Sequence, residues 1–280
     1  MAWKNSETWR KRPESSSVGS RNLQLIVQYD GTPYAGWQKQ RGLDTVQGTL
    51  EERLSEIAGH PVDLLVAGRT DAGVHALGQT ANFHTSSSML VKQIQEVVNR
   101  LLPHSIRVAK VREVPAAFHS TYHASAKLYR YVIRNHPDYT VFDRHFYHHV
   151  RRTLNVSLMQ KAAHQFEGSH DFTSFRGVLG RHANPVRVMK KIRVTRKGTA
   201  VYLDYLGHSF LHQMVRILSG TLVYAGWEKL KPEDMRMILD AKDRMKAGPT
   251  LPPTGLFLMK VFYPKVFPPV RNRRGAGPEE

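Results

Sequence analysis

The sequence predicts an α+β fold made of two β-α-β-β-α-β units in tandem, each an antiparallel sheet with helices on one face. Three observations carry this. Short runs of alternating apolar residues give way to helical spacing and return to alternation, and the same order occurs twice. Segments rich in Gly, Pro and Asp separate the runs. Hydrophobic residues make up 41% of 280, enough for a real core.

In the first unit, Leu23, Leu25, Val27 and Tyr29 alternate with Gln24, Ile26 and Gln28, which is a strand. The turn-rich DGTPYAGWQKQRG follows. Val46, Leu50, Leu54 and Ile57 then recur at helical spacing; Asp44 or Thr45 can cap that helix, and Gly59 and Pro61 end it. PVDLLVA reads as a strand, VAGRTDAGVHALGQ (Val66 to Gln79) as a loop that takes over at its end, and TANFHT as the next strand. Val91, Ile94, Val98 and Leu101 mark a helix that stops at Pro103, and Ile106 and Val108 begin a last strand.

The second unit repeats the order. Tyr129, Tyr131 and Ile133 alternate with Arg130, Val132 and Arg134. Ser157 can cap a helix carrying Leu158, Ala162 and Phe166. Ile192 and Val194, a Lys197-Gly198 turn, and Val201, Leu203 and Tyr205 make a hairpin. A long helix is expected from about Ser209, with Phe210, Met214, Ile217 and Leu222 inward. Pro232 opens a further helix. Leu256, Leu258 and Val261 or Phe262 close the set with a strand. This is the split-βαβ, ferredoxin-like pattern in tandem, with a ligand cleft expected between the halves. The expected division is a disordered basic arm over 1–20, units over 21–125 and 126–264, and a flexible basic tail over 265–280.

Composition narrows the function. Lys plus Arg number 41 against 23 Asp plus Glu, a formal charge of +18 spread through the chain, which points to a polyanion partner and a basic cleft. With no cysteine, disulfides, thiolate metal sites and thiol nucleophiles are excluded. No apolar run is long enough to cross a bilayer, and the first twenty residues lack the apolar core of a secretory signal, so no membrane role is expected. There is no glycine-rich phosphate loop and no G-x-S-x-G elbow, which argues against a nucleotide cofactor and a serine hydrolase. His145, His148 and His149, and the pair His208 and His212 on the expected helix, lack an acid at familiar ligand spacing, so no metal is expected.

The candidate site is Asp71, between Gly68 and Gly73 and two residues after Arg69. An Asp in such a turn ordinarily caps it and pairs with a neighbouring arginine. A catalytic Asp71 needs a basic partner from elsewhere. Arg216, in the apolar SFLHQMVRILSG, needs a partner if buried, and Ser219 and Gly220 on its face would let a loop come close. A guanidinium there would favour the ionised carboxylate, which can act as a nucleophile. Tyr129 and Tyr131 share one face of their strand, with Arg130 and Arg134 on the other; a ring beside a basic face can stack a base.

From Leu23 to Tyr263 the chain resembles the TruA family of tRNA pseudouridine synthases, most closely its bacterial members. The resemblance rests on YDGTPYAGWQKQ, TVQGTLEERL, AGRTDAGVHALGQ, NRLLP, FHSTYHASAKLYRY, HDFTSF, SFLHQMVR and GLFL, in the family's order. It implies that Asp71 is the catalytic aspartate, that Arg216 pairs with it, and that Tyr129 packs against the target uracil. It also implies that Arg69 helps displace the target base and that Leu256 lines the pocket. Two ferredoxin-like halves around a cleft, a homodimer whose two subunits both touch tRNA, and a cytoplasmic enzyme without metal or cofactor are implied as well. So is modification of uridines 38, 39 and 40 in the anticodon stem-loop. Two other readings stand beside it. A non-catalytic RNA-binding protein on the same fold would have no need of Asp71 beside phosphates. An RNA methyltransferase would need a glycine-rich cofactor loop that the sequence lacks.

Overall fold

The structure, a computed structural model, describes residues 20–178 and 184–267. The expected arm over 1–20 and tail over 265–280 lie, but for their inner ends, outside the described residues. Strand β1 (Arg21–Tyr29) buries Leu23, Leu25, Val27 and Tyr29. Asn22 and Gln24 on its polar face are buried as well, because the segment after the fourth strand folds over them: Asn22 Nδ2 donates to the Phe118 carbonyl at 2.9 Å. Helix α1 (Val46–Ala58) is capped by Thr45, whose Oγ1 accepts from the Gly48 N–H at 3.2 Å, and ends at Gly59 in the left-handed region.

The strand expected over PVDLLVA shrinks to β2 (Leu65–Val66). Its upstream donors go to helix α1 instead: Val62 N–H to Ser55 Oγ at 2.9 Å and Leu64 N–H to the buried Glu51 Oε1 at 3.1 Å. With those groups satisfied, a sheet ladder is not needed there. Strand β3 (His75–Thr85) begins within the expected loop, because His75 and Ala76 already pair with the last strand of the chain. Helix α2 (Val91–Leu101) and strand β4 (Ile106–Val114) complete the first half.

Strand β5 (Ala126–Asn135) opens the second half, and a short parallel partner β6 (His148–Val150), absent from the sequence expectation, pairs with it. Helix α3 (Val156–His164) is capped by Asn155, not Ser157; Asn155 Oδ1 accepts from Leu158 N–H at 3.2 Å. A short edge strand β7 (Gly168–Asp171), also not anticipated, flanks the hairpin of β8 (Val186–Lys197) and β9 (Ala200–Gly207). Helix α4 (Met214–Gly226) starts later than the apolar spacing suggests, because Gln213 sits in the left-handed region at φ 57° and breaks the helical path. Phe210 and His212 therefore lie on a loop, not on the helix. Helix α5 (Asp234–Ala241) and strand β10 (Leu256–Phe262) follow. A bulge between Leu258 and Lys260 shifts the alternation, so Val261 and not Phe262 turns inward.

Ten strands form one mainly antiparallel sheet in the order β4-β1-β3-β10-β5-β9-β8-β7, with β2 on β3 and β6 on β5. The molecule is thus α+β, with one large sheet packed against its helices. Its two halves meet where β10 runs parallel to β3, pairing Phe257 with His75 and Leu258 with Ala76. Helix α4 is buried almost throughout, with apolar residues on most of its surface and Arg216 as its one charged side chain. No described helix is long and apolar enough to cross a membrane.

Candidate active site

The Asp71 loop joins β2 to β3 beside the seam between the halves. It is held by the turn-rich segment between β1 and α1. Trp37 N–H donates to the Thr70 carbonyl at 3.1 Å, and Gly73 N–H to the Tyr34 carbonyl at 3.3 Å. Tyr29 Oη and Thr70 Oγ1 share a hydrogen bond of 2.8 Å, and Gln79 Nε2 donates to the Gly68 carbonyl at 2.8 Å. Gly36 makes this contact possible. Its φ is 100°, and a Cβ there would stand 2.8 Å from the Thr70 carbonyl oxygen. The motifs around YDGTPYAGW and AGRTDAGV thus form one structural unit.

Across the seam, Arg216 Nη1 donates to Asp71 Oδ2 at 3.2 Å, and Arg216 Nε to the Leu251 carbonyl at 2.7 Å. The arginine side chain is 13% exposed and the aspartate 26%, so the pair is partly desolvated and stronger than one at the surface. His212 Nε2 stands 3.7 Å from Asp71 Oδ1. The small residues after Arg216 do admit a close approach, but by a different segment: Gly220 lies against the Pro249 carbonyl. Ser219 instead bonds Tyr205 Oη at 2.9 Å.

Asp71 opens onto a cavity of about 440 Å³ whose lining also includes Arg69, Tyr129, Phe210 and Leu256. Asp71 is the only carboxylate in that lining. Tyr129 is 7% exposed and meets Phe210 edge-to-face at 5.0 Å. Burial, and the nearness of Tyr29 and Asp71, push its phenol well above the ordinary range, so the hydroxyl keeps its proton. Arg69 is exposed at the rim and forms no ion pair with Asp71. The local Asp71–Arg69 pairing that such a turn ordinarily makes is therefore not present. Arg130, on the opposite face of β5, is paired with Asp204 at 2.7 and 2.8 Å and is not part of the cavity.

Lys127, in the cavity, and His75, behind its loop, carry no assignment from sequence. Lys127 lines the cavity two positions before Tyr129. The strand's period of two signals this, since both side chains must share a face. His75, 1% exposed, clamps the loop to three other segments. Its Nδ1 accepts from Gly31 N–H at 3.0 Å, and its Nε2 donates to the carbonyls of His145 at 2.8 Å and Thr254 at 3.2 Å. The ring stacks on Phe257 at 4.8 Å. Burial lowers its pKa, against the pull of Asp30 at 3.2 Å, which fits the neutral tautomer that these bonds require. Of the histidines weighed as metal ligands, His149 Nε2 bonds the His136 carbonyl at 2.7 Å and His148 packs on Tyr131. Among the described residues no group of three or more His, Asp or Glu is placed to hold a metal ion.

This geometry coincides with a match to a known family. The family model described as tRNA pseudouridine synthase matches residues 25–123 and 162–264. A tRNA pseudouridine synthase A of Acetivibrio thermocellus is 41% identical over 243 residues, covering 87% of this chain and all of that protein. The tRNA pseudouridine synthase A of Brevibacillus brevis is 42% identical over the same coverage. Arg69, Leu256 and the Asp71–Arg216 pair fall within the matched segments, Tyr129 lies between the two, and the chain belongs to the tRNA pseudouridine synthase family, isomerases that act on tRNA.

Proposed function

We propose that this protein converts uridine to pseudouridine at positions 38, 39 and 40 of the tRNA anticodon stem-loop, with Asp71 as the nucleophile. The observation that carries the reading is the single carboxylate in a cationic cavity, held by Arg216 across the seam. The reaction breaks the bond from C1′ to N1, turns the uracil, and forms a bond from C1′ to C5; C5 gives up its proton and N1 takes one up. Product and substrate are isomers, so no water is consumed and a second carboxylate to activate one is not required. Attack on C1′, attack on the uracil ring and removal of a sugar proton are the routes open to Asp71, and each needs it ionised and fixed. A neutral, buried Tyr129 supplies a flat apolar wall for the uracil, with Leu256 beside it.

The target base must first leave its stack, at a cost of a few kcal/mol. Contacts of basic side chains to phosphates offset that cost, and Arg69 at the rim is free to enter the space the base vacates. The strand orders β4-β1-β3-β2 and β10-β5-β9-β8 have the same form, which supports two ferredoxin-like units with a boundary between Val114 and Ala126, near the expected 125/126. The protein is further proposed to act as a cytoplasmic homodimer with tRNA as partner and no cofactor.

A non-catalytic RNA-binding protein is disfavoured because it has no use for a carboxylate fixed inside the cavity by Arg216. The test is to incubate the protein with unmodified tRNA and map pseudouridine. Conversion at the anticodon stem-loop is expected. Binding without conversion would establish the rival reading.

A further inference from the structure

Lys127 is a cation without a counter-charge. It points from β5 into the same cavity as Asp71, and its ammonium lies so close to the Asp71 loop that a Cβ on Gly68 would stand 2.8 Å from its Nζ. Among the described residues no carboxylate lies within ion-pair distance of it, and the charge that acts on it is another cation, Arg187. Arg187 is half-buried, and its Nε is buried without a hydrogen-bond partner in the described structure. Burial first, and the nearby Arg187 second, lower the Lys127 pKa to about 8. Arg187 Nη1 donates to the Asn184 and Val186 carbonyls, which leaves its charge without an acid, and two part-buried cations near enough to repel each other are unfavourable unless an anion joins them.

The substrate class says which anion. Uracil and ribose are uncharged, so the groups of a nucleotide that can answer these cations are its phosphates. Lys127 and Tyr129 are two residues apart on one face of a strand, about 7 Å, the scale of a single nucleotide. We propose that Lys127, with Arg187 beside it, forms a phosphate subsite for the target nucleotide, anchoring its backbone while Tyr129 holds its base. This rests on the function proposed above. Gly68, with no side chain, leaves the room the ammonium and a phosphate oxygen need. Lys127 is then a positioning residue: it fixes where C1′ stands relative to Asp71.

The test uses the full chain and tRNA carrying a neutral methylphosphonate at either phosphate flanking the target uridine. For the wild-type protein, one of the two replacements is expected to lower kcat/KM about tenfold or more. Lys127→Met is expected to show a similar loss on ordinary tRNA, to be insensitive to that methylphosphonate, and to reduce the slope of log affinity against log salt by ~0.7–0.9. Lys127→Arg restores most of the loss. If neither phosphate matters to the wild type, or if Lys127→Met stays as sensitive as the wild type, the subsite is wrong. The wild-type measurement decides this even if Lys127→Met folds poorly. Failure of the wild type to form pseudouridine in ordinary tRNA would instead overturn the function itself.

Discussion

The two halves of the molecule bring their parts to the site in opposite ways. The first half offers Asp71 on a loop, and that loop is fastened by hydrogen bonds from its own half: Trp37 to Thr70, Gly73 to Tyr34, Gln79 to Gly68. The second half offers Tyr129 on a strand and Arg216 on a buried helix, both fixed by regular structure. The loop can therefore be shaped before the halves meet, and the seam adds what the loop lacks, a cation and a ring. Few bonds cross the seam at the site: Arg216 to Asp71, and His75 to the carbonyls of His145 and Thr254. Precision at Asp71 thus depends on a small number of cross-seam contacts.

The largest effect on the comparison is expected from Arg216→Ala. It removes the partner of Asp71 and the donor to the Leu251 carbonyl together. A loss of about 10²-fold or more in kcat is expected, with destabilisation of about 2–4 kcal/mol. Denaturant melts and single-turnover assays read the two separately. A variant with intact kcat would show that the seam does not position the carboxylate.

A smaller effect is expected from His75→Phe, which keeps the stacking on Phe257 but strands the Gly31 N–H. About 1–3 kcal/mol is expected. The wild type should also carry a pH signature. Because the folded-state pKa of His75 lies below its ordinary value, its contribution is full above about 6.5 and is lost as the pH falls through and below that value. Asp30 acts in a lower window: burial raises its pKa, but Thr32 hydrogen bonds and His75 outweigh this and hold it below the ordinary value. Melting curves between pH 7 and 5 should therefore fall more steeply for the wild type than for His75→Phe, and parallel curves would contradict the assignment. The smallest effect is that of Thr45→Ala, which removes the cap of α1 for about 1 kcal/mol and leaves the seam untouched. Thermal melts should drop while kcat stays unchanged.

How much of this was legible beforehand follows from the range of the forces involved. Period-two alternation located β1, β5 and β9 because burial of one sheet face is written directly into the side chains. It missed β7, whose GSHD carries no apolar signal, and overstated β2, whose donors are taken by Ser55 and Glu51 from a helix earlier in the chain. Phe210 fits helical spacing to Met214, yet one left-handed residue, Gln213, puts it in a loop against Tyr129. Asp71, Arg69, Tyr129 and Leu256 were nameable from sequence, and the cavity gathers them. Arg216 needed a partner by virtue of its apolar surroundings, and the structure supplies Asp71. The placement of His75 depends on three segments distant in sequence, and no local pattern encodes that.

The central claim is that Asp71 does the chemistry and that the rest of the site holds it in place. Asp71→Asn changes one oxygen to nitrogen and keeps the shape of the side chain. Pseudouridine mapping of tRNA treated with this variant should show a fall in conversion of at least ~10³-fold, with tRNA affinity and folding close to the wild type. Conversion at the wild-type rate would contradict the account.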